Sequence, residues 1–175
     1  MIEVLDYVQF VLAPQVVTGL TLGVAVILVA LGLTIIFGLL DVINMSHGEF
    51  YALGAFMALA LSWIGVPFWL LLVLVPLAML PIGYVVERSL IQRVFNSKDR
   101  HVTTLLLTFG FGLVLEEVIK LIFGPNPYKP ETPIRGAVEV FGIFIPNYRL
   151  FLMVAGGAVI IAVAAVMNLF LGLYL

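Results

Sequence analysis

The chain has no cysteine, which excludes disulfides and thiolate metal sites and leaves the redox compartment open. Charge is nearly as scarce, with 8 Lys and Arg, 10 Asp and Glu and 2 His among 175 residues. A soluble domain carries roughly 25% charged residues, so there is too little polar surface here to cover a globule in water. The opening MIEVLDYVQF lacks a basic segment and a small-residue cleavage site. A signal peptide is therefore not expected, and the first span must do the targeting. No GxxxxGK followed by Ser or Thr occurs, which excludes ATP binding through a Walker loop on this chain. The two histidines, His47 and His101, are 54 residues apart, and zinc needs three or four ligands at recognisable spacing. His47 and Glu49, two apart, point to different sides of a helix rather than at one metal. No serine has a His/Asp constellation around it. Neither a metal site nor an enzyme is expected.

What is abundant is apolar. The sequence is 63% hydrophobic with a mean hydropathy of +1.24, the composition of a polytopic membrane protein. We expect an all-α transmembrane helical bundle forming a single domain over 1–175. Residues 15–40 and 50–86 are runs of 26 and 37 residues without a charge. Between them Asp41, Asn44, Ser46, His47 and Glu49 fall within nine residues. Ionisable groups between membrane-length segments are costly to keep and by default mark a pathway or site. The alternative is a capped loop at the membrane interface, and the residues alone leave both open.

Along the chain, Pro14 is expected to separate a short interfacial piece, residues 5–13, from a first span over about 15–40. Gly19 and Gly23 within that span form a GxxxG pair, the spacing that lets helix backbones approach closely in lipid. Ser46 and Glu49 have capping-box spacing, which predicts a helix starting near His47 with both side chains capping it. That helix, 47–64, is short for a span and suits a broken or re-entrant segment near 41–64. A span over 66–86 follows, with Pro76 and Pro81 predicting kinks. Residues 87–101 hold four of the eight Lys and Arg, which predicts a cytoplasmic loop. The next span is 102–123, whose Glu116, Glu117 and Lys120 are spaced to neutralise one another near the far interface. Residues 124–133 contain four prolines and cannot be helical. The external loop continues to Arg149; VEVFGIFI in it is read as a short strand or an interfacial stretch. The last span is 150–171, with Gly156 and Gly157 among its small packing residues. Placing 87–101 inside puts the N-terminus outside and the C-terminus inside.

At DVINMSHGEFYALGAF the sequence resembles the permease subunits of branched-chain (hydrophobic) amino-acid ABC importers. The most specific stretch is 19–55, with the family's N-x-(A/S)-H-G-E core at Asn44 to Glu49. Residues 87–95, 105–127 and 147–157 resemble its basic segment, its next span and its entry to the following helix. The resemblance implies a subunit in the inner (plasma) membrane that pairs with a second, related permease. Two ATPase subunits would dock on the cytoplasmic face and a periplasmic substrate-binding protein would deliver the amino acid. ATP is then hydrolysed by partner subunits, no cofactor is expected on this chain, and its surroundings are lipid, with no nucleic acid. Asn44, Ser46, His47, Gly48 and Glu49 are carried over as lining or shaping the translocation path. Family members continue into a basic cytoplasmic loop and further spans, whereas this sequence ends in MNLFLGLYL. The expectation is an N-terminal part of a permease that cannot couple ATP hydrolysis to transport alone. The competing function is a stand-alone passive channel or facilitator for a small amide- or urea-like solute.

Overall fold

A computed structural model describes residues 7–94, 97, 99–128, 133–140 and 142–174 of the chain. Helix α1, Ala13–Leu40, is preceded without a break by a π-helical turn, Val8–Leu12. The interruption expected at Pro14 is therefore absent. Proline lacks an N–H and its ring crowds the carbonyl four residues back; the wider π turn just before it supplies the slack. Helix α2 spans His47–Trp63 and ends where Gly65 takes φ +88°. Helix α3, Phe68–Val86, begins after Pro67 and passes through Pro76 and Pro81. Helix α4 is Arg100–Phe123. Strands β1 (Ala137–Val140) and β2 (Ile143–Pro146) pair antiparallel, with Val140 opposite Ile143 and Gly142 at φ +77° in the turn. Helix α5 is Asn147–Tyr174. The protein is a polytopic helical membrane protein, and the short hairpin is the one departure from an all-α reading among the described residues.

Among the described residues, three helices are long and apolar enough to cross a membrane: Phe10–Gly38, Phe68–Val94 and Asn147–Leu169. Large apolar side chains are exposed along each of them, as expected of surfaces that meet lipid rather than water.

The basic stretch expected as a loop is helical as far as Val94. A π-helical turn, Glu87–Ile91, carries α3 on into Gln92–Val94. No proline or glycine interrupts it. Arg88 Nη1 donates to Gln92 Oε1 at 3.1 Å, and Gln92 Nε2 donates to Glu87 Oε1 at 3.3 Å. The second of these pairs lies five residues apart, the period of a π turn.

The chain divides into two compact units, Met1–Leu31 with Thr132–Leu175, and Gly32–Glu131; α1 runs from the first into the second. In the first, α1 and α5 meet at Gly156, where a Cβ would lie 2.3 Å from Val24 Cγ1. The Arg149 guanidinium donates to Thr18 Oγ1, and the Thr18 hydroxyl donates to the Pro14 carbonyl at 2.7 Å. The hairpin is tied to the start of α5 by Asn147, whose N–H donates to the Gly136 carbonyl at 3.0 Å. The second unit packs α2 against α3 and α4. It holds all the buried hydrophobic side chains found among the described residues: Val42, Leu59, Leu71, Ile91 and Ile119.

Candidate functional site

The buried polar side chains among the described residues fall in one place. Asn44 and Ser46, 8% and 1% exposed, lie in the non-helical stretch between α1 and α2, and Thr104 and Thr108 face it from α4. The stretch begins at Asp41, whose N–H makes the last bond of α1 to the Phe37 carbonyl at 2.9 Å and whose φ is +53°. A left-handed residue after the last turn reverses the chain, and Asp is among the few non-glycine residues that tolerate it. The Asp41 carboxylate accepts from Arg100 Nη2 at 2.6 Å, with His101 Nε2 at 3.6 Å. Asp41 thus sits beside the first residue of α4.

From there the chain climbs along α4. The Met45 N–H donates to Thr108 Oγ1 at 3.0 Å. One turn further on, a Cβ at Gly112 would lie 3.4 Å from Ser46 Cα and 3.6 Å from Glu49 Cγ. On the other side, a Cβ at Gly32 would lie 2.9 Å from His47 Nε2. Two rulers therefore bound where α2 begins. Gly32 lies eight residues before the end of α1, and Thr108 eight residues after the start of α4. At 1.5 Å per residue, the Gly32 and Thr108 contacts lie about 12 Å from the level of Asp41 and Arg100, and the approach of Ser46 to Gly112, twelve residues after the start of α4, about 18 Å, which brackets the start of α2.

The helix start differs from expectation in its chemistry. Ser46 is the N-cap residue but makes no side-chain cap. Its hydroxyl donates to Asn44 Oδ1 at 2.7 Å, and its N–H donates to the same oxygen at 3.0 Å. This is an Asx turn, with one amide oxygen taking both donors. Ser46 has φ −82° and ψ 5°, outside the β region from which a cap oxygen reaches the first turn. The helix is started instead by the Ser46 carbonyl, which accepts from Glu49 N–H at 3.0 Å and Phe50 N–H at 3.2 Å.

The expected site residues are thereby sorted. Asn44 and Ser46 are buried and bonded to each other. His47 and Glu49 are part-exposed and wedge the first turn of α2 between α1 and α4. Gly48 is exposed, with nothing within 4 Å of where its Cβ would be. Positions 19 and 23 likewise have nothing within 4 Å; the close approach of α1 to α5 is at Gly156 instead. Thr104, Thr108 and Gly112 were not among the expected residues, although their four-residue spacing already aligns them in one stripe. Among the described residues, no group of three or more His, Asp or Glu comes together.

At the other end, α2 and α4 stay together and run in the same direction. Phe50 packs on Phe111 with ring centroids 6.0 Å apart, Phe56 on Phe123 at 4.7 Å, and Trp63 on Phe123 and Tyr128 at 5.9 and 5.5 Å. The Tyr128 hydroxyl donates to the Phe123 carbonyl. Lys120 bonds Glu116 and Glu117 at 2.7 and 2.9 Å, the mutual neutralisation their spacing implied.

The family described as branched-chain amino acid transport system / permease component matches residues 15–172. The high-affinity branched-chain amino acid transport system permease protein LivH of Escherichia coli (strain K12) is 30% identical over 119 residues, which are 63% of this chain and 38% of that protein. LivH of Salmonella typhimurium matches to the same extent. The permease protein BraD of Pseudomonas aeruginosa is 39% identical over 56 residues, 32% of this chain and 17% of that protein. No solved structure matches the chain. The chain thus spans well under half the length of these relatives, and the family is one of transport components rather than enzymes. A polytopic helical chain with its buried polar groups gathered at a broken helix is, by this match over 15–172, a member of the branched-chain amino acid transport permease family.

Proposed function

We propose that the chain is a permease subunit of an ATP-driven importer that moves branched-chain or other hydrophobic amino acids across the inner membrane. The observation that carries this reading is the offset of the start of α2 from the level of Asp41 and Arg100. A hydrocarbon core is about 30 Å thick, so, with Asp41 and Arg100 placed at one face, a helix N-terminus about 12–18 Å in lies close to the midplane. Broken helices bring such N-termini to the middle of the bilayer in many transporters, where their partial positive ends meet anionic groups of the solute. An amino acid carries a carboxylate that suits such an end. In this reading Gly48, His47 and Glu49 line the path, and Asn44 and Ser46 shape it.

The ends of α1 and α4 at Asp41 and Arg100 face the cytoplasm, with the N-terminus outside and the C-terminus inside. The basic residues of 87–101 support that choice. A second permease packs alongside, two ATPase subunits dock inside, and a periplasmic binding protein delivers the solute. The spans are 15–40, 66–86, 102–123 and 150–171, with 47–64 re-entering from the break; Gly19 and Gly23 offer the second permease a close-packing seat.

The test is uptake of labelled leucine by the assembled transporter in vesicles, with ATP and the binding protein supplied. His47→Ala and Glu49→Ala are expected to lower uptake by about tenfold or more at normal membrane abundance, the loss of one charge-assisted contact. Unchanged uptake in both variants contradicts the path. Uptake that needs neither ATP nor binding protein favours a passive facilitator instead.

A further inference from the structure

We infer that Thr108 is the positioning residue that holds the start of α2 at its depth; the inference rests on the transport reading above for its functional meaning. Non-helical backbone within a bilayer must find its partners inside the protein. The Met45 N–H, immediately before the Asx turn, finds Thr108 Oγ1 at 3.0 Å. That oxygen accepts from the break while its own proton faces the Thr104 carbonyl, 2.9 Å away and one turn back on α4. The Ile43 carbonyl is a further 3.4 Å neighbour. Thr108 is 4% exposed, so water does not replace it as an acceptor. The neighbouring positions of the stripe make room for this contact. Gly112 admits the Ser46 backbone, and Thr104 turns its hydroxyl to the Arg100 carbonyl at 2.7 Å rather than to the break.

The other attachment of the break, Asp41 to Arg100, differs in kind. Its carboxylate is 61% exposed, and exposed ion pairs hold geometry weakly. It fixes the foot of the climb, whereas Thr108 fixes the top, next to the residues proposed to meet the solute. Thr108 touches the backbone of the break and not the path itself, so it acts through the placement of Gly48.

The absence of cysteine makes the test direct. Gly48→Cys introduces a single thiol at an exposed position, where a Cβ meets nothing within 4 Å. Its labelling rate by a membrane-impermeant maleimide is measured on the full chain in membranes, with Thr, Ser, Val or Ala at 108. Thr108→Val keeps the shape and removes the acceptor; it is expected to change the rate by about tenfold or more, the effect of one unmade buried hydrogen bond. Thr108→Ser restores the hydroxyl and should stay within about twofold of the parent. If the Val variant does not accumulate, Thr108→Ala decides, since it removes the acceptor without burying a new methyl group. Equal rates across Thr, Ser and the acceptor-less variant overturn the inference, as does Ser behaving like Val. Leucine uptake by the same position-108 variants without Gly48→Cys separates the two readings. A changed labelling rate with normal uptake keeps Thr108 as the positioning residue and removes the solute path from this site.

Discussion

Gly156 and Gly157 are neighbours with opposite surroundings. A Cβ at 156 would lie 2.3 Å from Val24 Cγ1, while at 157 nothing lies within 4 Å. Valine in a helix is held almost entirely in one rotamer, so Val24 cannot swing aside cheaply. Gly156→Ala is therefore expected to destabilise α1–α5 packing by about 1–3 kcal/mol, and Gly157→Ala by less than about 0.5 kcal/mol. Unfolding of the purified chain in detergent measures both, and equal stabilities would contradict the packing. Asn44 shows the same reasoning for a polar group. Its Oδ1 takes both donors of Ser46, which is 1% exposed. Asn44→Ala leaves the two unpaired at a cost of about 1–3 kcal/mol each. We expect that variant to be scarce in the membrane, and its lost uptake to track its lost abundance. A well-folded Asn44→Ala protein with a specific uptake defect would assign Asn44 to the path wall instead.

At the scale of elements, local signals were legible and distant ones were not. The start of α2 at His47 and its end at Gly65–Pro67 are written in a few adjacent residues. So is the end of α4 at Gly124, where the φ of +84° needs a glycine. Pro14 misled because proline usually stops a helix, and nothing in the sequence announces a π turn before it. The capping box misled for a related reason. Serine had two possible partners, and Asn44, two residues upstream, offered an oxygen closer than the first turn of the helix. Charge in 87–101 suggested a loop, but charge specifies exposure and not conformation; without proline or glycine the helix simply continued as far as Val94. The contact between Met45 and Thr108 spans 63 residues, which no local pattern encodes. The resemblance singled out 44–49 as the distinctive stretch, yet only the fold separates residues that brace it from residues that face outward.

For the whole molecule, the economy of burial is informative. Among the described residues few side chains are buried, yet four of them are polar and gathered at the break between α1 and α2. Isolated buried polar groups are expensive, so a chain that keeps them holds them bonded. The central claim is that α2 begins inside the hydrocarbon, not at its edge. It is tested by attaching a nitroxide to Gly48→Cys, and separately to Asp99→Cys at the start of α4, and measuring the depth of each label in bilayers by collision with oxygen and a water-soluble nickel complex. The account predicts the label at 48 about 12–18 Å deeper than the label at 99. Equal depths, with both labels at the headgroup level, would contradict it.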